Sequence, residues 1–152
     1  LINEPTALVP LAQEVETLKL YLEIEKMRFE DRLRPRFEID PQVEKAHLPS
    51  LLLQPLVENA IKYAVTPREE GADISITAQP AGENVRITVA DTGPGFGADS
   101  GEEVVSTGVG LANIRDRLSQ AYGERHRFET RSTPSGGFIV TIELPHMKQQ
   151  QE

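Results

Sequence analysis

Two apolar–polar alternations joined by a proline- and glycine-bearing linker constrain this chain more than any other feature. Ile74 and Ile76 alternate with Ser75 and Thr77, and Val85, Ile87 and Val89 alternate with Arg86 and Thr88. Successive strand side chains point to opposite faces, so each run reads as a strand with one buried face. The linker Gln79-Pro80-Ala81-Gly82-Glu83 makes residues 73–78 and 84–90 a hairpin. A second pair, residues 127–131 and 138–144, flanks Thr133-Pro134-Ser135-Gly136-Gly137 and repeats the signal.

The other segments carry helical spacing. Leu11, Val15, Leu18 and Leu22 recur at three- and four-residue steps and predict a helix over residues 11–31. Tyr21, Ile24 and Met27 are expected to widen its apolar face, Glu14 and Glu16 suit its early turns, and Pro10 fits just ahead. Residues 33–39 read as a strand that Pro35 confines to a sheet edge. Proline is tolerated in the first turn of a helix and disruptive inside it, so Pro55 opens a helix over residues 55–64. Leu56, Ala60 and Tyr63 then share one side, with Glu58, Asn59 and Lys62 on the other. Residues 96–107 are polar and glycine-bearing, without sustained period. A helix over residues 109–122 stops at Gly123. This order predicts an α+β fold: a two-layer α/β sandwich whose mixed, mainly antiparallel sheet carries helices on one face. It is not a doubly wound pattern.

At 152 residues the chain fits one domain with a real core. No apolar run approaches the roughly 20 residues that span a membrane, and no signal-peptide pattern opens the chain. The absence of cysteine excludes disulfides and thiolate metal sites and suits the cytoplasm. A formal net charge of -8 argues against a nucleic-acid surface, because phosphate binding is dominated by lysine and arginine. Arg32-Leu33-Arg34 and Arg115-Asp116-Arg117 are local basic spots, either anion contacts or solvated faces, the latter favoured for the first.

Three short segments then point to a nucleotide pocket: Glu58-Asn59-Ala60-Ile61-Lys62-Tyr63, Asp91-Thr92-Gly93-Pro94-Gly95 and Gly108-Val109-Gly110-Leu111. In the first, the Asn59 amide can ligate magnesium while Lys62, three positions on, reaches a phosphate. Magnesium takes only one or two protein ligands, so no carboxylate cage is expected. Glu58 is either a proton acceptor or an exposed helix carboxylate, and Tyr63 either borders adenine or packs in the core. In the second, Asp91 ends an apolar strand, where its carboxylate can accept from the exocyclic amine of adenine. Gly93 and Gly95 let the backbone approach the base. In the third, Gly108, Val109, Gly110 and Leu111 lie at the predicted start of a helix, where amide N–H groups make an anion nest. No Gly-Lys-Ser/Thr follows, so this is not a Walker A loop.

The three segments resemble the asparagine box and the two glycine boxes of the Bergerat-type ATPases: histidine kinases, chaperones, mismatch-repair and topoisomerase ATPases. Leu18-Lys19-Leu20-Tyr21-Leu22-Glu23-Ile24-Glu25-Lys26-Met27-Arg28-Phe29, with Leu53-Gln54-Pro55-Leu56-Val57-Glu58-Asn59-Ala60, is similar to LytS-type sensor histidine kinases. The resemblance extends over residues 11–145. It implies a catalytic domain that binds ATP and magnesium, with Asn59 on the metal, Lys62 at phosphate and Asp91 at adenine. It also implies Gly93 and Gly95 shaping the base pocket, Gly108 and Gly110 flanking a mobile lid, and Thr141 holding an adenine-side water. Tyr63 stands where many relatives carry histidine.

In such kinases the phosphate-accepting histidine lies on a dimerising helix upstream. His47, His126 and His146 match no acceptor motif, so the chain is expected to be a domain whose acceptor lies on a segment absent from it. Residues 1–32 would link to that segment, 33–145 form the ATP-binding domain and 146–152 a polar tail. The resemblance further implies a response-regulator partner, a monomeric fragment of a homodimeric protein, and a cytoplasmic domain of a membrane-anchored sensor. Two alternatives remain: a module that binds ATP without transferring phosphate, and a hydrolytic ATPase of the chaperone, topoisomerase or repair type. The latter place a carboxylate four residues before the metal asparagine, and Pro55 stands there.

Overall fold

The computed structural model describes residues 7–92, 101–134 and 136–146, with 101–110 described as helical backbone only. In chain order the elements are β1 (Leu8–Pro10), α1 (Leu11–Phe29), β2 (Leu33–Ile39), β3 (His47–Pro49), α2 (Gln54–Ala60), β4 (Ala72–Ala81), β5 (Asn84–Asp91), α3 (Gly101–Tyr122), β6 (Arg127–Ser132) and β7 (Phe138–Pro145). Five strands form one sheet in the order β2-β4-β5-β7-β6. Only the β2–β4 pair of that sheet is parallel; β4–β5, β5–β7 and β6–β7 are antiparallel. β2 is an edge strand, so Pro35, which has no N–H to give, sits where a missing donor is tolerated. The α+β sandwich with a mixed sheet is the fold that the alternations predict.

Parity along the strands sorts the two faces. Ile74, Ile76, Val85, Ile87, Val89, Val140, Ile142 and Leu144 are buried in one cluster with Leu11, Leu18, Leu53, Val57, Ile114 and Leu118 of the helical layer. Ser75, Thr77, Thr88 and Thr141, the intervening residues, are only half-buried. α1 buries Leu11, Val15, Leu18, Leu22 and Phe29, and Lys26 and Arg28 in its last turn complement the helix dipole. Ile24 and Met27 do not widen this face. They are 64% and 80% exposed, with Leu20 at 63%, because they project from the side of the helix turned away from Leu22.

Three departures from the expected elements shape the surroundings of Asn59. β1 and β3 form a two-stranded antiparallel ribbon that ties the entry of α1 to the approach of α2. The helix containing Asn59 changes character after Ala60: Ile61–Val65 is a π turn, with the Thr66 N–H bonded to the Ile61 carbonyl at 2.9 Å. α3 starts at Gly101 rather than near 109, so part of the expected loop is helix. The β4–β5 linker is also tighter than expected, with only Gly82 and Glu83 between the Ala81–Asn84 pair.

Candidate nucleotide site

The site grows out of four elements that converge on one end of the sheet. On α2, Leu56, Asn59 and Ala60 fall at three- and four-residue spacing and so share a face. On β5, Val89 and Asp91 share a face; on β7, Phe138 and Val140 do. The register places Asp91 opposite Phe138 and Val89 opposite Val140, so these four residues make a continuous floor. Leu111 of α3 closes the other side. Together the eight residues line a small cleft that opens to solvent. Its floor and walls are mostly apolar, and its polar groups are the Asn59 amide and the Asp91 carboxylate. A flat heterocycle with one polar edge matches that chemistry.

The end of β5 at Asp91 and Thr92 is held on both sides. The Asp73 N–H donates to Thr92 Oγ1 at 2.9 Å, and the Thr92 N–H donates to the Asp73 carbonyl at 3.2 Å. Gly137, at φ +113°, approaches the Asp91 carbonyl so closely that a Cβ there would lie 2.5 Å from it. Only glycine lets β7 start against Asp91 in this way. The Thr133 hydroxyl donates to the Gly136 carbonyl, and the Thr133 N–H to the Gly137 carbonyl at 3.1 Å, fixing the approach.

Asn59, Asp91 and Leu111, singled out from the sequence, therefore come together. Glu58 lies outside the cleft lining: it is exposed and accepts from Gln54 Nε2 at 3.0 Å. Its other neighbour is Tyr21 of α1. Burial pushes the Tyr21 phenol up to about 12, with Glu25 and Glu58 adding to the rise and Arg28 opposing it. Lys62 is exposed, with its ammonium 5.2 Å from the centre of the half-buried Tyr63 ring. Both stand on the π turn, whose wider winding ends the simple three-residue relation to Asn59.

Thr141 is not in the site. It faces the opposite side of the sheet, lining a depression with Arg86, Arg127, Glu129 and Glu143. The strand's own alternation carried this signal, since Val140 and Ile142 occupy the core face and exclude Thr141 from it. Gly93 and Gly95 lie outside the described residues, as do 96–100 of the expected lid. Gly108, Val109 and Gly110 belong to α3, well inside it, and not to its first turn. Phe138, Val140 and Gly137 were missed as site residues because their role depends on the β5–β7 register. Arg115 stacks over the Phe128 ring at 5.0 Å, a helix-surface role.

Among the described residues no cluster of three His, Cys, Asp or Glu is able to hold a metal. The Asn59 amide oxygen on the cleft wall is a hard donor of the kind magnesium takes, and that ion commonly needs only one or two protein ligands.

A mixed sheet with helices packed on one side is also the fold of the catalytic domains of histidine kinases. The structure superposes on the catalytic domain of histidine kinase ThkA with a TM-score of 0.71 at 21% identity, covering 96% of this chain and 100% of that one. It superposes on full-length ShkA in complex with AMPPNP with a TM-score of 0.67 at 23% identity, covering 99% of this chain and 33% of that one. Likeness at such identity establishes the fold. The sequence establishes the family: the chain belongs to the histidine kinase-, DNA gyrase B- and HSP90-like ATPases, whose family model matches residues 44–148. A histidine kinase model matches residues 1–33. The chain is 38% identical over 138 residues to sensor histidine kinase YesM of Bacillus subtilis, covering 91% of this chain and 24% of that protein. It is 30% identical over 151 residues to sensor protein LytS of Enterococcus faecalis, covering 94% of this chain and 26% of that protein. It thus spans about a quarter of each of these relatives. It is an ATP-binding catalytic domain of the LytS kind.

Proposed function

We propose that this domain binds magnesium–ATP and passes the γ-phosphoryl group to a histidine on a segment outside the chain, as the catalytic part of a two-component sensor kinase. The observation that carries the reading is that Asn59 and Asp91, from α2 and β5, line one apolar-walled cleft. Adenine lies over Val89, Phe138 and Val140, with its exocyclic amine donating to Asp91. The phosphates run out past Asn59 towards Lys62. Asn59 would hold the magnesium ion that accompanies ATP, and that ion would supply positive charge to the phosphates. The acceptor imidazole attacks the γ-phosphorus, ADP departs, and Glu58 takes the imidazole proton. The protein supplies positioning and charge complementarity, which is most of what phosphoryl transfer needs.

Residues 1–32 are assigned as the segment that leads to the dimerisation and acceptor region, and 33–145 as the ATP-binding domain. α1 nevertheless shares one buried cluster with the sheet. No helix among the described residues is long and apolar enough to cross a membrane. A cytoplasmic position beneath a membrane-anchored sensor and a response regulator downstream are part of the same proposal.

The test is transfer in trans. The domain is mixed with a histidine-bearing segment of a LytS-type kinase and γ-labelled ATP. Acid-labile, histidine-linked label that disappears in Asn59→Ala supports the reading. ATP binding without label makes the domain a nucleotide-responsive module instead.

A further inference from the structure

We propose that Glu14 and Arg117 are positioning residues for the nucleotide site, acting through the turn that launches α2. Among the described residues Glu14 is the charged side chain that is buried, 4% exposed, and no described cation forms an ion pair with it. A buried carboxylate without a cation is costly unless hydrogen bonds satisfy it. Its oxygens accept from the Leu51 N–H at 2.6 Å and, at a longer 3.4 Å, from the Leu53 N–H. From the opposite side Arg117 of α3 donates through Nη1 to the Leu51 carbonyl at 2.9 Å and through Nη2 to the Ser50 carbonyl. Leu51 is therefore gripped at both ends of its backbone.

That grip holds an unfavourable conformation. Leu51 sits at φ +59°, a region that residues with a Cβ seldom adopt, while its side chain is 52% exposed. Such a residue persists where its surroundings over-determine it. Leu53 is the N-cap of α2 and provides no side-chain cap, so the Glu14 carboxylate supplies negative charge at that helix start.

The consequence for the site is geometric. α2 carries Asn59 about 7.5 Å beyond Gln54, five residues at the helical rise. α3 carries Leu111 on the cleft and Arg117 on the turn, six residues apart. The same two helices that form the cleft walls are thus tied together at Leu51, and the tie sets the separation of Asn59 from Leu111. The β5–β7 floor takes no part in it. Loosening the tie should move the asparagine wall while leaving the base floor in place.

This inference rests on the magnesium role proposed for Asn59, but its first readout does not. In isotope-labelled, ligand-free protein, Arg117→Lys and Glu14→Gln are expected to shift the Asn59 side-chain amide resonances and leave those of Phe138 and Gly137 unchanged. Magnesium–ATP affinity should fall about tenfold in Arg117→Lys, adenosine affinity should hold, and the loss should vanish when Arg117→Lys is made in an Asn59→Ala background. Unmoved Asn59 resonances, or a loss that simply adds to that of Asn59→Ala, overturn the inference even if the domain binds ATP. Shifted Asn59 resonances without magnesium-dependent binding would keep the mechanical link and remove the function assigned to the site. Arg117→Lys keeps the charge and one donor, so the test survives if Glu14→Gln fails to fold.

Discussion

The Arg32 guanidinium caps the π turn that succeeds the Asn59 helix, donating to the Val65 carbonyl at 2.8 Å. It donates also to the Thr66 carbonyl at 3.0 Å and, through Nη2 and Nε, to the Arg68 carbonyl at 2.9 and 3.2 Å. A basic pair read as a solvated surface thus contains a half-buried strut. Its removal leaves helix-end carbonyls without partners. Arg32→Ala is expected to cost about 2–4 kcal/mol of stability, by the penalty for stranding charge-assisted acceptors, measured by urea unfolding.

The same junction fixes Gly71. At φ +74° a Cβ there would lie 2.0 Å from the Arg32 carbonyl oxygen, and that atom is backbone and cannot swing away. Gly71→Ala should therefore cost at least about 3 kcal/mol, more than the usual glycine-to-alanine strain. A midpoint of unfolding equal to that of the parent would contradict this packing.

At the base end, Asp91→Asn is expected to reduce the preference for ATP over GTP by about tenfold or more, because the amide can offer guanine a donor where the carboxylate could not. Gly137→Ala pushes on the Asp91 carbonyl and should erode the same preference with little change in the magnesium dependence. Competition binding with the two nucleotides reads both. Thr141→Ala, on the far face of the sheet, should leave binding unchanged.

The alkaline limb of stability is a further check. Burial raises the Tyr122 phenol from 10.0 to about 12, and Tyr21 is raised likewise. A phenol whose folded pKa is raised contributes stability that is complete below pH 10 and lost as pH climbs through about 12. Denaturant midpoints should fall steeply across that window and more gently in the doubly substituted Tyr21→Phe, Tyr122→Phe protein. Glu58→Gln should lower the Tyr21 phenol and not that of Tyr122, read from phenolate absorbance, since Glu58 is one of the charges raising it.

Legibility in the sequence tracked the strength of its periods. Ile74 to Val89 declared a hairpin, Leu11 to Leu22 a buried helix face and Pro35 an edge, because each rests on several residues repeating one rule. The ribbon of Leu8–Pro10 with His47–Pro49 was not legible, since three residues cannot establish a period. Nor was the π turn at Ile61, where the change is in hydrogen-bond register and no residue type marks it. Asn59 and Asp91, which line one cleft, could be singled out because the chemistry proposed for them is local to a motif. Phe138 and Val140 became site residues only through their pairing with Asp91 and Val89. Leu51, with its left-handed backbone and its two charged partners from distant helices, left no local trace at all.

The most direct measurement is calorimetric titration of the domain with ATP, with and without magnesium, and with GTP alongside. The predicted result is saturable binding that prefers ATP, strengthens with magnesium, and loses its magnesium dependence in Asn59→Ala. A folded domain that binds ATP and GTP equally, or whose binding ignores both magnesium and Asn59, would contradict the assignment of this cleft.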